Sequence, residues 1–263
     1  MKKFKPTILG ISIWKLFAYF IIYSIIGYIL ETLFGIATKG VWESRQSFLY
    51  GPFCGIYGSG AVIITIFSKY FDKNKLTLFI GGFLIGTITE YLTSFLVETT
   101  MGITWWDYSN YVLNINGRVC LLYSIFWGIL TPFLIKVVNV QMDKILLKFK
   151  EKVSLRLLKA ITLTIIIFLF IDCLLTCFAQ KQFINRMIIE KNIEVDNIEK
   201  VLVEYDNIYS NEVLSKIILN LWDDKKMIRT FPNMKIKDRE GNDVYLDSLL
   251  PDIQAYYLKI FDK

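Results

Sequence analysis

The chain has 263 residues, of which 54% are hydrophobic and 16% aromatic, and its 30 basic and 24 acidic residues give a net charge of +6. It contains no histidine, which excludes the common zinc sites and the Ser-His-Asp and Cys-His catalytic systems. The apolar fraction exceeds that of soluble domains, so we expect an all-α polytopic membrane protein with about five transmembrane helices.

Five apolar stretches are long enough for helices that cross the hydrocarbon core. In chain order they are Ile13–Gly35, Pro52–Phe67, Leu76–Val97, Val119–Val138 and Leu158–Phe178. The first is too long for the apolar region of a signal peptide and has no small-residue cleavage site, so we interpret it as a retained span. Basic residues concentrate before the first span and in the connections after the second and the fourth. The positive-inside rule therefore predicts a cytoplasmic N-terminus and an extracellular C-terminal tail.

Two carboxylates lie inside predicted spans, and each follows a glycine by four residues, as Gly27-x3-Glu31 and Gly86-x3-Glu90. A charged residue within a span costs roughly 2.5–3.5 kcal/mol on insertion scales and is usually functional or paired. The match continues downstream of both units with the same residue types at the same spacing: Arg45, Leu49, Tyr50 and Gly55 after the first, and Arg118, Leu122, Tyr123 and Gly128 after the second. The pattern therefore indicates a duplicated polar site.

The duplication predicts two helical hairpins as repeat units, residues 13–70 and 76–138. Both run in the same direction, as in transporters built from parallel repeats; chance similarity between two apolar hairpins is the alternative. The fifth span, 158–178, has no counterpart. We therefore expect a transmembrane domain over residues 1–178 and a C-terminal extramembrane module over residues 179–263.

Small residues recur at every fourth position of the predicted spans, which lets helix backbones approach closely in lipid. Glu31 and Glu90 share these stripes, so we expect both carboxylates to face the interior of the bundle. A proline is tolerated in the first turn of a helix, so Gly51-Pro52 is predicted to begin the second span. The positions with a predicted structural role are Gly27, Gly51, Pro52, Gly55, Gly86, Asn116, Gly117, Trp127 and Gly128.

Further local signals concern turns and the tail. Asn116-Gly117 indicates a turn in the second outer loop, and Pro132 is expected to kink or end the regular hydrogen bonding of the fourth span. In the tail, residues 183–205 and 212–227 form amphipathic, helical patterns, and residues 239–243 are typical of a turn between two short extended runs. The tail contains no catalytic motif.

The predicted topology places the charged residues of the spans and the outer loops on one side of the membrane. Two interpretations stay open: a static ion-pair cluster that locks the bundle, and an outward-facing polar cavity that binds a cation, a proton or a zwitterionic solute. The candidate substrate- or ion-binding residues are Glu31, Arg45, Tyr50, Glu90, Asp107, Arg118 and Tyr123. We predict no metal site, no catalytic residue and no cofactor.

Two motifs resemble those of a known family. They read Gly27-x3-Glu31, Arg45 and Leu49-Tyr50-Gly51-Pro52-Phe53-x-Gly55-Ile56-Tyr57-Gly58-x-Gly60, and then Trp106-Asp107-Tyr108-Ser109, Asn114-Ile115-Asn116-Gly117-Arg118 and Trp127-Gly128. They are similar to the bacterial family labelled ABC-transporter type IV permeases, CmpB-like, over residues 15–138. The resemblance implies a multi-pass protein of the bacterial cell membrane that serves as a transport component.

A permease of this kind requires an ATPase. The chain has no Gly-x4-Gly-Lys-[Ser/Thr] phosphate loop, so it cannot hydrolyse ATP by that mechanism. A separate cytoplasmic ATPase subunit is therefore expected, and the basic loop Lys136–Lys159 is its candidate contact. The alternative is that the basic residues only keep this loop on the cytoplasmic side, as the positive-inside rule describes. The other expected partner is membrane lipid, nucleic acid is not expected, and homo-oligomerisation is left open.

Two other functions are weighed against transport. One is a membrane-embedded enzyme acting on a lipid-linked substrate, with Glu31 or Asp107 as general base and Arg45 and Arg118 clamping a phosphate. The chain offers no evident nucleophile for it, so an enzyme is the less favoured interpretation. The other is a non-catalytic membrane subunit or sensor that uses the tail as its interaction surface.

Overall fold

The computed structural model describes residues 6–261 and is mostly helical. The helices are α1 (Ile13–Lys39), α2 (Gly55–Ser68), α3 (Lys75–Met101), α4 (Leu121–Phe133), α5 (Asn139–Lys152), α6 (Leu155–Glu190), α7 (Ile198–Tyr209), α8 (Glu212–Leu221) and α9 (Asp224–Thr230). A π-helical segment (Leu134–Val138) joins α4 to α5, and a 3₁₀ turn spans Asp247–Leu249. The strands are β1 (Thr7–Ile8), β2 (Ile11–Ser12), β3 (Val41–Trp42), β4 (Ile103–Thr104), β5 (Lys235–Lys237), β6 (Asp243–Tyr245) and β7 (Leu258–Lys259).

Within residues 6–261, four helices are long and apolar enough to cross a membrane: α1, α3, the rod Leu121–Lys152, and α6. Helix α2 is apolar but has 14 residues and begins at Gly55, so the prediction that Gly51-Pro52 begins it is wrong: Gly51, with a φ of 83°, lies in the bend before the helix. At about 1.5 Å per residue the helix is roughly 21 Å long, shorter than the hydrocarbon core of about 30 Å. The helical membrane architecture is thus confirmed, while the count of five spans and the parallel repeat stay predictions.

Pro132 changes the helix hydrogen bonding as expected, but it does not end the rod. Proline has no N–H and its ring clashes with the preceding turn; the chain responds with the π-helical segment Leu134–Val138 and then resumes as α5. The prediction of a basic loop over Lys136–Lys159 is therefore wrong, because this segment is helical except at Val153–Ser154. Its Lys, Leu and Glu residues are strong helix formers.

The chain divides into two compact units, of which the first comprises Met1–Gly27, Phe53–Phe95 and Trp106–Phe170. Its buried apolar core contains Tyr19, Tyr23, Ala61, Ile64, Leu134 and Met142. Glycines allow its helices to approach closely: a Cβ on Gly86 of α3 would lie 2.7 Å from Cδ2 of Trp127 on α4. The small-residue stripes therefore serve helix packing within this unit.

The second unit comprises Tyr28–Pro52, Leu96–Trp105 and Ile171–Lys263. Its core is built on the end of α6, and the fully buried side chains include Met187, Met227, Ile228 and Ile236. Strands β4, β5 and β6 form an antiparallel sheet, and β3 pairs with β7. Helices α8 and α9 are capped by the side chains of Asn211 and Asp223, which accept backbone N–H bonds. These caps satisfy donors that would otherwise lack partners.

The predicted turn at residues 239–243 is confirmed. Strands β5 and β6 pair across it in antiparallel register, and Gly241 has a φ of 85°, which glycine adopts without steric cost. Helix α6 continues past the predicted end of the fifth span at Phe178 and stops at Glu190. The domain boundary at residues 178/179 stays a prediction.

Glu204 of α7 gives the second unit a pH-dependent contact. Burial opposes its ionisation, but hydrogen bonds from Lys181 (2.7 Å) and Asn185 (3.1 Å) outweigh burial and hold the pKa of Glu204 below its ordinary value. A lowered folded-state pKa contributes stability above the unfolded pKa of about 4.3 that is lost as pH falls through the folded value.

We therefore expect Glu204→Gln to lower the stability of the protein by about 0.2–1 kcal/mol at neutral pH, the range for partly exposed ion pairs. The difference from wild type should vanish once the pH falls below the folded pKa. Thermal unfolding of both proteins at a series of pH values measures it. A difference that persists unchanged into acid would contradict the assigned contact.

Candidate functional site

The seven predicted binding residues fall into the two units. Glu90, Asp107, Arg118 and Tyr123 belong to the first unit, and the remaining three, Glu31, Arg45 and Tyr50, belong to the second. Each group is described within its own unit, and the single polar site stays a prediction.

Glu90 on α3 is buried, with 7% of its surface exposed. Its Oε1 accepts a hydrogen bond from the Tyr108 hydroxyl (2.9 Å), and its Oε2 accepts one from Nε1 of Trp127 (3.1 Å). Within residues 6–261, no basic side chain forms an ion pair with Glu90. The carboxylate predicted to face the interior therefore does so, and both of its oxygens are held by neutral donors.

The segment between α3 and α4 places Tyr108 on this carboxylate. Asp107 Oδ1 accepts hydrogen bonds from the Ser109 N–H (2.8 Å) and hydroxyl (2.5 Å), and the Tyr108 N–H donates to the Gly117 carbonyl (2.7 Å). Gly117 has a φ of 66°, and a Cβ there would lie 2.6 Å from Asp107 Oδ1. The predicted turn at Asn116-Gly117 is thus present. Asp107 stabilises the loop through its hydrogen bonds with Ser109.

Three tyrosine rings pack together beside the carboxylate. The ring of Tyr123 lies against that of Tyr108 with a centroid distance of 4.6 Å, and Tyr111 meets both rings edge-on at 5.7 and 5.9 Å. Burial, and then the charge of Glu90, raises the pKa of Tyr108 above its ordinary value, so its hydroxyl stays a hydrogen-bond donor at physiological pH. Together with Glu90 these electron-rich ring faces form an environment that attracts cations.

Arg118 of the same unit lies against aromatic rings. Its guanidinium is 5.5 Å from the ring centroids of Tyr91 and Phe95, which both belong to α3. Its backbone carbonyl accepts a hydrogen bond from Nε1 of Trp106 (2.9 Å). The arginine therefore lies over two aromatic rings of α3 at the distance of a cation–π contact.

In the second unit, Arg45 forms an ion pair with Glu43 (2.6 Å), which also pairs with Lys39 (2.7 Å). Asn233 donates to the same carboxylate oxygen (3.4 Å). The Glu43 side chain is 8% exposed, so one buried carboxylate is shared by two cations. Sequence reasoning did not include Glu43 among the site residues, although its spacing of four residues from Lys39 was a usable signal.

Glu31 is half-buried on α1.

Asp172 of α6 holds the segment before Pro52. It is 1% exposed, its Oδ2 accepts a hydrogen bond from the Tyr50 N–H (3.1 Å), and its Oδ1 accepts one from the Thr176 hydroxyl (3.4 Å). Thr176 in turn accepts a bond from the Leu49 N–H (2.9 Å). Asp172 is not among the candidate binding residues of the sequence analysis, and nothing local in the sequence links it to Tyr50.

We expect Asp172→Ala to destabilise the protein by about 1–3 kcal/mol, since it leaves the backbone N–H of Tyr50 and the Thr176 hydroxyl without their acceptor. Amide hydrogen exchange at Leu49 and Tyr50 should accelerate. Asp172→Asn is the matched control, because its amide oxygen still accepts a hydrogen bond. Equal exchange rates in the two variants would contradict the assigned anchoring role.

A second buried polar cluster of the first unit surrounds Asn139, the first residue of α5. Its Oδ1 accepts a bond from the Tyr23 hydroxyl (2.6 Å), its Nδ2 donates to Thr65 Oγ1 (3.0 Å), and its carbonyl accepts from the Tyr19 hydroxyl (3.1 Å). It directly follows the π-helical segment, a feature frequent at functional sites. The predicted fourth span ended at Val138, so sequence reasoning missed this cluster.

A match to a known protein family covers much of the chain. A family model described as "Putative ABC-transporter type IV" matches residues 18–177, more than half of the chain. No curated protein and no solved structure matches the chain. The matched range includes the Glu90 site, the loop that carries Tyr108, and Asp172.

Proposed function

Because the chain belongs to the family described as "Putative ABC-transporter type IV", we propose that it is the membrane-spanning component of an ABC-type transporter in a cell membrane. A separate ATPase subunit on the cytoplasmic side provides the energy. The chain itself binds and passes its solute without catalysing a covalent step.

The observation that carries this proposal is the environment of Glu90. A carboxylate inside an apolar helix is expensive when ionised, and here its hydrogen-bond partners are the neutral donors Tyr108 and Trp127. A bound proton or a bound cation removes that cost. Since the stacked ring of Tyr123 adds a face that attracts cations, we assign the Glu90 site to a proton or a cationic group of the transported solute.

Close packing of a glycine on an aromatic side chain occurs in both hairpins. Gly27 of α1 packs against Tyr57 of α2, and Gly86 of α3 packs against Trp127 of α4. In each case the glycine that precedes a membrane carboxylate by four residues approaches an aromatic side chain of the following helix. The two aromatic residues are not equivalent in the repeat register, where Tyr57 corresponds to Leu130 and Trp127 to Cys54, so the proposed repeat rests on the matching sequence motifs.

On this basis we extend the proposal to the first hairpin. Glu31 and Arg45 supply there the carboxylate and the cation that Glu90 and Arg118 supply in the second hairpin. With the N-terminus in the cytoplasm, as the positive-inside rule favours, these polar groups open outward.

The contact for the ATPase subunit is assigned to helix α5. Lys144 and Lys148 are exposed and, being four residues apart, lie on one face of that helix. A basic helix of this kind attracts an acidic surface on a partner and accelerates its association.

The proposal is tested by affinity purification from native membranes in mild detergent, with mass spectrometry of the proteins that co-purify. We expect a stoichiometric ATPase with wild type and much less with the charge reversal Lys144→Glu/Lys148→Glu. The matched control is Lys216→Glu/Lys225→Glu, which reverses two exposed lysines of the second unit and should retain the ATPase. An intact protein that brings down no ATPase would overturn the ABC-type assignment.

A second function is favoured by one observation, the separate apolar core of the second unit. A folded extramembrane module is typical of a non-catalytic subunit or sensor that binds another protein. If wild type co-purifies a partner other than an ATPase, and a variant lacking residues 198–263 loses it, this function replaces transport.

A further inference from the structure

The first unit contains a large groove that the transport proposal does not use. It has a volume of about 1660 Å³ and is bordered by the N-terminal segment, the start of α1, the second half of α5 and the start of α6. All of its lining residues belong to the first unit. The groove lies where the structure turns from α5 into α6.

The rim of the groove is basic. Lys15, Lys150, Arg156 and Lys159 line it together with a single carboxylate, Asp143. Lys15 pairs with Asp143 at 2.7 Å, and Lys159 lies 5.1 Å from the ring centroid of Trp14. Within residues 6–261, Lys150 and Arg156 have no ion-pair partner, so the rim presents uncompensated positive charge.

The inner wall is apolar, and the change from basic to apolar follows the helices. On α6, Arg156 and Lys159 precede Thr162 and Ile165, which line the groove from the same helix face. On α1, Trp14 and Lys15 precede a second group of lining residues that are apolar, namely Ala18, Ile21 and Ile22. The groove is therefore charged at the helix ends and apolar towards the middle of the spans, as a bilayer interface is.

We propose that this groove binds an anionic phospholipid. The phosphate lies among Lys150, Arg156 and Lys159, and an acyl chain covers the apolar wall between α1 and α6. Basic pockets between transmembrane helices recognise anionic headgroups in this way. A free phosphate would leave the apolar wall uncovered, and a zwitterionic lipid would not compensate the positive rim. The lipid site does not depend on the transport proposal.

The test compares two lipids with identical chains, dioleoylphosphatidylglycerol and dioleoylphosphatidylcholine, added to delipidated full-length protein in detergent. Native mass spectrometry measures the bound lipid. We expect phosphatidylglycerol to bind in preference to phosphatidylcholine, and Lys150→Gln/Arg156→Gln to weaken its binding by roughly 10- to 30-fold.

The matched control is Lys73→Gln/Lys75→Gln, which removes two exposed lysines of the first unit that do not line the groove, and it should bind lipid as wild type does. Equal binding of the two lipids would overturn the proposal, and so would equal losses in the variant and the control. Full competition by glycerol 3-phosphate would indicate an anion site without a lipid. If the double variant does not fold, Arg156→Gln alone, at an exposed position, gives the same comparison.

Discussion

Glu90→Gln is expected to remove the response of Trp127 fluorescence to pH and to cations. The indole N–H of Trp127 donates to Glu90 (3.1 Å), so binding of a proton or a cation at the carboxylate changes the surroundings of the indole. Glutamine has the same shape but no charge. Its amide oxygen faces Trp127, which can only donate, and its NH₂ faces the hydroxyl oxygen of Tyr108, which can accept.

The variant should still fold, because both neighbours keep a hydrogen-bond partner. We expect its Tm to change by no more than about 4 °C, the equivalent of one hydrogen bond of about 1 kcal/mol. The chain has six tryptophans, so the emission of Trp127 is obtained as the difference between wild type and Trp127→Phe. Titrations with acid, sodium and potassium then measure the response in each background.

Glu151→Gln is the matched control, since it removes the same charge from an exposed position of α5 and should respond as wild type does. A wild type without any response would remove the assignment of Glu90 as a proton or cation site. So would a Glu90→Gln variant that responds fully. Loss of the ATPase partner is a separate outcome, which the co-purification experiment measures.

Gly86→Ala is expected to destabilise the protein by about 1–2 kcal/mol. The Cβ would lie 2.7 Å from Cδ2 of Trp127, which is shorter than a van der Waals contact. This ring atom is close to the backbone of Trp127, so it cannot easily move away. Overpacking typically costs about 1–3 kcal/mol, which exceeds the gain of up to about 1 kcal/mol from replacing glycine by alanine in a helix. Near-UV circular dichroism should show the Tm falling by roughly 2–8 °C.

The same indole provides the control. A Cβ on Gly60 of α2 would lie 3.3 Å from Cη2 of Trp127, at the far edge of the ring, where a shift of a few tenths of an ångström relieves the contact. Gly60→Ala should therefore be neutral or stabilising by up to about 1 kcal/mol. Equal destabilisation by the two substitutions would show that the close packing of α3 on α4 is not what Gly86 provides.

The Glu90 site shows how far sequence reasoning reaches. A carboxylate within an apolar run predicts an inward-facing polar centre, because lipid exposure of the charge is too costly. The sequence did not indicate which groups meet it, since Tyr108 is 18 residues away and Trp127 is 37 residues away. Their approach depends on the loop that Asp107 and Gly117 organise.

The Lys136–Lys159 segment shows where such reasoning fails. Because the segment is rich in basic residues, it was predicted to be a loop. Helix propensity and the π-helical segment after Pro132 instead keep α4 and α5 in one rod. Charge density predicts on which side of a membrane a segment lies but not whether it is helical, because lysine is itself a good helix former.

The sequence by itself determined the apolar helices, the buried carboxylate of Glu90, the turn at Asn116-Gly117 and the family, because hydrophobicity, charge cost and glycine's backbone freedom act on local residues. The tertiary structure alone decided the partners: Tyr108 and Trp127 on Glu90, and Tyr50 on Asp172. These contacts join residues 18 to 122 positions apart. They form when packed helices bring donors to buried acceptors that would otherwise lack a partner.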